Sequence, residues 1–156
     1  VKDNCSEIIV SLHPRHRGKE RYEKMLNQLG IQKFMVTDEV GTEYLYSIMY
    51  DVSLVINFFS TTALEAMILD KPVLTIDIDP KITSNLFRNI CEEGGLVVNI
   101  DSNLKNAVKD ALEDCHKLQE MRKKTVKRYC YKVDGKASQR VAERIYTLAR
   151  IDRDIK

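Results

Sequence analysis

Apolar segments of strand length alternate with segments of helical periodicity along this chain, and the alternation predicts an α/β fold. Five segments fit strands, at residues 8–12, 34–36, 52–57, 73–76 and 96–98. They are apolar at nearly every position, which is typical of parallel strands that helices cover on both faces. Right-handed crossovers would connect such strands. The sequence therefore predicts a Rossmann-like, doubly wound parallel sheet of about five strands with helices on both faces.

The segments between and after these strands carry helix signals. Residues 18–29 place apolar side chains at helical spacing, and Gly30 is positioned to end that helix. Thr42 is positioned as the N-cap of the second helix, and Ser102 or Asp101 as the cap of the fifth. The remaining helices are predicted at residues 62–69, 81–90, 104–112, 118–131 and 136–149.

Length and composition are typical of an ordinary globular domain. A chain of 156 residues fits one domain with a substantial core, and a hydrophobic content of 44% excludes a disordered chain. The sequence has neither a bilayer-spanning apolar run nor a signal peptide. The four cysteines form no CxxC pair, so we expect free thiols in a reducing cytoplasm. We interpret residues 1–156 as a single domain of a longer protein, with C-terminal helices from about 117 to 150.

A hydroxyl-rich turn between the third strand and the third helix carries the strongest functional signal. Ser60, Thr61 and Thr62 follow the apolar segment, and the helix opens at Thr62. A turn of this kind directs hydroxyls and N–H groups toward the positive end of a helix dipole, which suits a phosphate or diphosphate. The same residue types are preferred helix caps, and the two roles are compatible. Glu65, in the first helical turn, could hold ribose hydroxyls or only complement the dipole.

Basic side chains concentrate in the turn after the first strand, at His13, Arg15, His16 and Arg17. Histidine and arginine at a strand end can bind a phosphate or a developing negative charge. The alternative interpretation is a solvated basic loop that binds no ligand, and for His16 this is the preferred interpretation.

Two other polar regions have two interpretations each. Asp77 and Asp79, after the fourth strand, could contact a sugar or a base, or could belong to a polar loop. The basic segment 117–132 is either a solvated helix face or a membrane-surface contact. In the second case the apolar side would be formed by Leu118, Met121 and Tyr129.

Several common motifs are missing from the sequence. It has no GxGxxG fingerprint, Walker A sequence, GxSxG elbow or HExxH, so a redox enzyme, a P-loop NTPase and a serine hydrolase lose support. Its aromatic residues do not interleave with the basic ones as a stacking platform requires, so no nucleic-acid partner is expected.

The order of three motifs resembles the C-terminal domain of GT-B glycosyltransferases over about residues 8–148. These motifs are Leu12-His13-Pro14-Arg15, the segment from Ser60 to Ala66, and Asp70-Lys71-Pro72-Val73-Leu74. The similarity is greatest to bacterial capsule-polysaccharide transferases and glycerophosphotransferases, with UDP-N-acetylglucosamine 2-epimerases as structural relatives. Residues 134–142 also resemble a helix start near the C-terminus of such proteins.

This resemblance implies a donor site. It implies that Ser60, Thr61 and Thr62 bind the diphosphate of a nucleotide-activated sugar and that Glu65 holds the ribose. His13 would be the catalytic residue that neutralises the leaving group. The basic residues Arg15 and Arg17 would assist in donor binding. Hydroxyls, a helix N-terminus and a cationic side chain can stabilise that charge, so we expect neither a metal nor a cofactor.

The resemblance also implies a larger protein. The acceptor-binding domain would precede this one, the catalytic base would come from it, and this chain alone would be incomplete for catalysis. The implied reaction transfers a sugar or a glycerophosphate to a surface polysaccharide, in the cytoplasm or at the inner face of the membrane. A UDP-N-acetylglucosamine 2-epimerase-like domain and a non-catalytic nucleotide-binding module remain as alternatives.

Overall fold

The computed structural model of this chain describes residues 7–13, 18–39, 41–78 and 85–154, with the side chains of residue 85 and of residues 150–154 outside the description. The strands are β1 (Ile8–Ser11), β2 (Phe34–Thr37), β3 (Val55–Asn57), β4 (Val73–Asp77) and β5 (Leu96–Asn99). The helices are α1 (Lys19–Gln28), α2 (Thr42–Asp51), α3 (Thr62–Ile68), α4 (Asn85–Gly94), α5 (Leu104–Glu113), α6 (His116–Cys130) and α7 (Ala137–Asp154). The predicted alternation of strands and helices is confirmed.

Every strand pair runs parallel, as the apolar segments predicted. β1 pairs with β2, with Ile8 opposite Phe34. β4 lies between β3 and β5, with Val55 opposite Val73. The described strands thus form one sheet of two strands and one of three, an arrangement consistent with the Rossmann-like fold. The sequence predicted a strand over 52–57, but only the last three residues of that segment pair with a neighbouring strand. β3 is therefore the shortest strand.

Helices cover both faces of the three-stranded sheet. Successive side chains of β4 point to opposite faces, so Val73 and Leu74 contact different helices. Val73 packs against Met67 of α3 and Cys91 of α4, and α6 adds Val126 and Tyr129 to the same cluster. On the other face, Leu74 packs against apolar residues of α5: Ala107, Val108 and Ala111. The prediction of helices on both faces is therefore confirmed.

The helix ends differ in detail from the predicted caps. Gly41 occupies the N-cap of α2 and Thr42 is the first helical residue. Asn103, rather than Ser102 or Asp101, caps α5, since its Oδ1 accepts a hydrogen bond from the Asn106 N–H at 3.1 Å. Asparagine is as good an N-cap as serine or aspartate, so composition could not distinguish these neighbours. Gly30 follows α1 at φ 68°, as its predicted role requires. For α4, residues 81–84 of the predicted helix lie outside the described residues.

The apolar side of α6 faces the interior. Leu118 is buried, and the Tyr129 hydroxyl donates a hydrogen bond to Glu93 Oε1 at 3.3 Å. Leu118 and the half-buried Tyr129 thus pack toward the core, and the membrane-surface contact of this helix stays a prediction. α7 instead exposes its apolar residues, among them Val141 and Ile145. Within the described parts of the chain, no helix has both the length and the apolar character to cross a bilayer.

Candidate functional site

Asn57 fixes the hydroxyl-rich turn to the sheet. It is the last residue of β3 and lies opposite Thr75 of β4. Its buried side chain donates from Nδ2 to Thr75 Oγ1 at 3.2 Å, and its Oδ1 accepts the Ser60 N–H at 3.3 Å. One amide thus ties the turn to β3 and β4 at the carboxyl end of both strands, where parallel sheets place their ligands.

Two of the three predicted hydroxyls interact directly. Ser60 Oγ donates to Thr62 Oγ1 at 3.0 Å and accepts the Thr62 N–H at 3.2 Å. The Ala63 N–H donates to the Ser60 carbonyl and the Leu64 N–H to the Thr61 carbonyl, each at 3.0 Å. These amides therefore make hydrogen bonds within the turn, and an arriving anion would have to share them. Ser60 and Thr61 are exposed, so their side chains lie where a ligand can reach them.

Glu65 lies in the first turn of α3, as predicted. Its N–H donates to the Thr61 carbonyl at 3.3 Å, and its side chain is half-buried. It shares a short helix with Thr62, so Glu65 remains close to the hydroxyls in sequence and in space.

An arginine that the sequence analysis did not single out lies beside this turn. The Arg88 guanidinium carbon is 4.8 Å from the centroid of the Phe59 ring. Its Nη1 is 2.9 Å from Asp77 Oδ2 and 3.6 Å from Glu92 Oε1. The hydrogen bond to Asp77 is the main cause that raises the pKa of Arg88 above its usual value. Phe59 itself is held at φ 53°, which turns the chain into Ser60.

The first-strand turn is described only up to His13. His13 is exposed and follows Leu12, whose N–H donates to the Thr37 carbonyl at 2.8 Å. The predicted donor-binding residues Arg15 and Arg17 lie outside the described residues, as do His16 and Asp79. β1 and β3 belong to different sheets, so no described strand pairing links His13 to the turn at Ser60.

Other features of the described residues lie apart from the turn. An open cavity of about 400 Å³ lies between α3 and α6. Its lining consists of Met67, Ile68, Asp70, Lys123, Val126, Lys127, Tyr131 and Val133, none of which belongs to the turn. Where side chains are described, no group of three or more His, Cys, Asp or Glu residues is arranged to hold a metal ion.

Asn57→Ala is expected to destabilise the protein by about 1–2 kcal/mol, because it removes the partner of the buried Thr75 hydroxyl and of the Ser60 N–H. Urea unfolding of the variant and the unaltered chain measures the difference. Exposed Asn106→Ala leaves its own main-chain cap intact and serves as the matched control. An Asn57→Ala protein as stable as the control would contradict the anchoring role.

None of the curated proteins compared with this chain matches it significantly. Residues 2–147 match the model of one family, described as CDP-glycerol:poly(glycerophosphate) glycerophosphotransferase. The match includes His13, the hydroxyl-rich turn and the Arg88 cluster, and it extends into α7. Because the matched region covers nearly all of the sequence, this chain belongs to the CDP-glycerol:poly(glycerophosphate) glycerophosphotransferase family, a family of transferases.

Proposed function

We propose that this chain is the donor-binding domain of a transferase that moves glycerophosphate from CDP-glycerol to a growing poly(glycerophosphate) polymer. The family match over residues 2–147 is the observation that carries the proposal, since the family description names this donor and this acceptor. It favours a transferase over the epimerase alternative. It also favours a transferred glycerophosphate over a transferred sugar.

The reaction is a phosphoryl transfer. A terminal hydroxyl of the polymer attacks the phosphorus that carries the glycerol, and the bond from that phosphorus to the oxygen of CMP breaks. The attacking hydroxyl gives up its proton to a base, and CMP leaves with an additional negative charge. Hydrogen-bond donors and cations positioned at the diphosphate accelerate such a step, because they stabilise the charge on the equatorial and leaving oxygens.

The hydroxyl-rich turn suits this task. In the proposal, Ser60, Thr61 and Thr62 donate hydrogen bonds to the diphosphate, and Asn57 keeps the turn in place at the strand ends. Support comes from the exposure of Ser60 and Thr61 and from the two hydrogen bonds of the Asn57 amide. Glu65, half-buried one turn further on, accepts hydrogen bonds from the ribose hydroxyls.

The basic turn supplies the positive charge. We assign to His13 the neutralisation of the leaving CMP, and to Arg15 and Arg17 contacts with the donor phosphates. His13 lies two residues after the end of the parallel strand β1 and is exposed to solvent, as such a role requires. The donor is a substrate in this scheme, and neither a cofactor nor a metal takes part.

The remaining components lie outside this domain. We propose that an N-terminal acceptor domain of the same protein completes the GT-B arrangement and provides the catalytic base. We propose that the enzyme acts in surface-polysaccharide synthesis, at the inner face of the membrane. Purified with that partner domain, the protein is expected to release CMP only when both CDP-glycerol and an acceptor polymer are present.

The direct test replaces Ser60, Thr61 and Thr62 together by alanine. Titration calorimetry with CDP-glycerol, CDP, UDP, GDP and NAD is expected to show selective binding of the cytidine compounds by the unaltered chain. The triple variant should bind at least about tenfold more weakly, because several hydrogen bonds to the diphosphate are lost. Thermal shift gives the same ranking, since a ligand that binds only the folded state raises its stability.

The matched control is a second triple variant in which three exposed residues outside the hydroxyl-rich turn, Thr42, Ser53 and Ser138, are replaced by alanine. It should bind like the unaltered chain. Equal binding by the two triple variants would remove the turn from the donor site. Binding of no cytidine nucleotide by the unaltered, folded chain would refute the donor-binding role.

A further inference from the structure

One buried oxygen atom beside the hydroxyl-rich turn has no hydrogen-bond partner among the residues that the structure describes. It is Oδ1 of Asp77, the last residue of β4, which is only 3% exposed. The other oxygen, Oδ2, accepts from Arg88 Nη1 at 2.9 Å. A carboxylate oxygen removed from water without a donor is costly, and nearly all buried polar atoms in proteins are paired. A ligand that donates a hydrogen bond to this oxygen would therefore be stabilised.

Asp77 lies at the same edge of the sheet as the turn. Thr75, two residues earlier on the same face of β4, is opposite Asn57 and bonded to its amide. Asp77 is thus one pleat further toward the carboxyl end, where ligands of parallel sheets bind. Arg88 bridges the two features, because its guanidinium contacts the Asp77 carboxylate and the face of Phe59, the residue before Ser60.

The geometry of the ion pair leaves Oδ1 available. Arginine commonly holds a carboxylate with two parallel hydrogen bonds, one to each oxygen. Here Arg88 Nη1 lies 2.9 Å from Oδ2 and 3.6 Å from Glu92 Oε1, and Oδ1 has no hydrogen-bond partner among the described residues. The ion pair therefore fixes the orientation of the carboxylate and neutralises its charge, while the second oxygen still lacks a hydrogen-bond donor.

We propose that Asp77, through Oδ1, accepts a hydrogen bond from a hydroxyl or amino group of the nucleotide donor bound at the neighbouring turn. The inference rests on the proposed donor-binding function. The partner is a neutral donor group, because a phosphate oxygen would face the carboxylate with like charge. Asp77 is then a specificity-determining residue, and Arg88 is the positioning residue that holds it.

Asp77→Asn is the sharpest variant. The amide oxygen can replace Oδ2 as the acceptor for Arg88, which puts the amide nitrogen at the position of Oδ1. The substitution therefore keeps the shape and reverses the hydrogen-bond polarity at the unpaired position. CDP-glycerol affinity measured by calorimetry is expected to fall at least about tenfold, because the new amide N–H would face the N–H or O–H group of the ligand. Asp110→Asn, at an exposed position on α5, is the matched control and should bind normally.

A second set of titrations identifies the partner group with the unaltered chain. It uses CDP, CDP-glycerol, 2′-deoxy-CDP, 3′-deoxy-CDP and the N4,N4-dimethyl derivative of CDP. One ligand lacking the critical donor should bind about tenfold more weakly to the unaltered chain, and that difference should vanish in Asp77→Asn. A hydroxyl partner and a base amine partner are thereby distinguished. A glycerol hydroxyl would show itself as a CDP-glycerol preference that Asp77→Asn abolishes.

The outcomes separate the two proposals. Normal nucleotide affinity in a folded Asp77→Asn protein would overturn the role of Asp77 and leave the donor-binding function standing. If that variant does not fold, the titrations with the unaltered chain still decide, since equal affinity for all five ligands overturns the inference. Binding of no nucleotide by the unaltered chain would refute the donor-binding function, and this inference with it.

Discussion

Arg122→Met is expected to lower the free energy of unfolding by about 3 kcal/mol, the size typical of breaking a buried ion pair from one side. Arg122 is 2% exposed and lies on α6. Its Nε and Nη2 donate to Asp70 Oδ1 at 3.1 and 2.9 Å. Its Nη1 and Nη2 donate to Asp114 Oδ1 and Oδ2 at 2.6 and 2.9 Å.

The carboxylate partners explain why the loss is large. Asp70 and Asp114 have left-handed backbones at φ 55° and φ 40°, at the ends of α3 and α5. Arg122 therefore binds residues at the C-terminal ends of two helices. Burial alone would lower the pKa of Arg122, but its hydrogen bonds to Asp114 and Asp70 outweigh that effect and raise the pKa above its usual value. Asp70 is largely exposed and can be rehydrated, which keeps the loss at the lower end of the range.

Urea unfolding followed by circular dichroism measures the loss. Lys124→Met, at an exposed neighbouring position of α6, is the matched control and should change stability little. Arg122→Lys should fall between the two, because an ammonium group cannot bind both carboxylates through a planar fork. If Arg122→Met were as stable as the control, the arginine would not hold these helix ends together.

Gly95→Ala is expected to cost about 2–3 kcal/mol, because a methyl group there has no space. A Cβ at this position would lie 2.7 Å from the Val73 carbonyl oxygen and 3.2 Å from Val73 Cβ. The obstructing atom belongs to the backbone of β4, which pairs with β5 immediately after Gly95. Relief of the clash would therefore require the two strands to move apart.

The neighbouring Gly94→Ala variant provides the comparison. Its Cβ would meet the sulfur and methyl group of the Met67 side chain, and Thr125 Cγ2 at 3.1 Å. Methionine is flexible, and alanine improves helix propensity in α4, so the expected loss is only about 1 kcal/mol. Thermal unfolding of both variants gives the ranking. A larger loss for Gly94→Ala than for Gly95→Ala would contradict the backbone explanation.

The strands and most helices could be predicted because their signals are local. The apolar segments at 8–12 and 73–76 coincide with β1 and β4 to within one residue, and Gly30 follows α1 as expected. The division into two sheets could not be predicted, since it depends on which strand edges meet in space. The cap at Asn103 could not be distinguished from its neighbours, because all three residue types are good caps.

The candidate site was predictable only in part. The turn at Ser60 stands out because a hydroxyl-rich segment follows an apolar strand. Arg88 gave no such signal: its contacts with Phe59 and Asp77 join three separate elements, and nothing in the spacing of these residues indicates a contact. The position of Asp77 at a strand end favours a sugar or base contact, but its burial and its unpaired oxygen depend on the packing of α4 over β4.

Helix α6, which contains Arg122, also affects when the protein can fold during synthesis. The apolar face of β4, α3 and α4 is covered by residues of α6. The Asp70 carboxylate pairs with Arg122, which lies 52 positions further along the chain. As the ribosome delivers the chain from its N-terminus, β4, α3 and α4 emerge while the face that α6 later covers is still exposed. That face stays open to solvent, and to other nascent chains, until residues 116–130 have emerged.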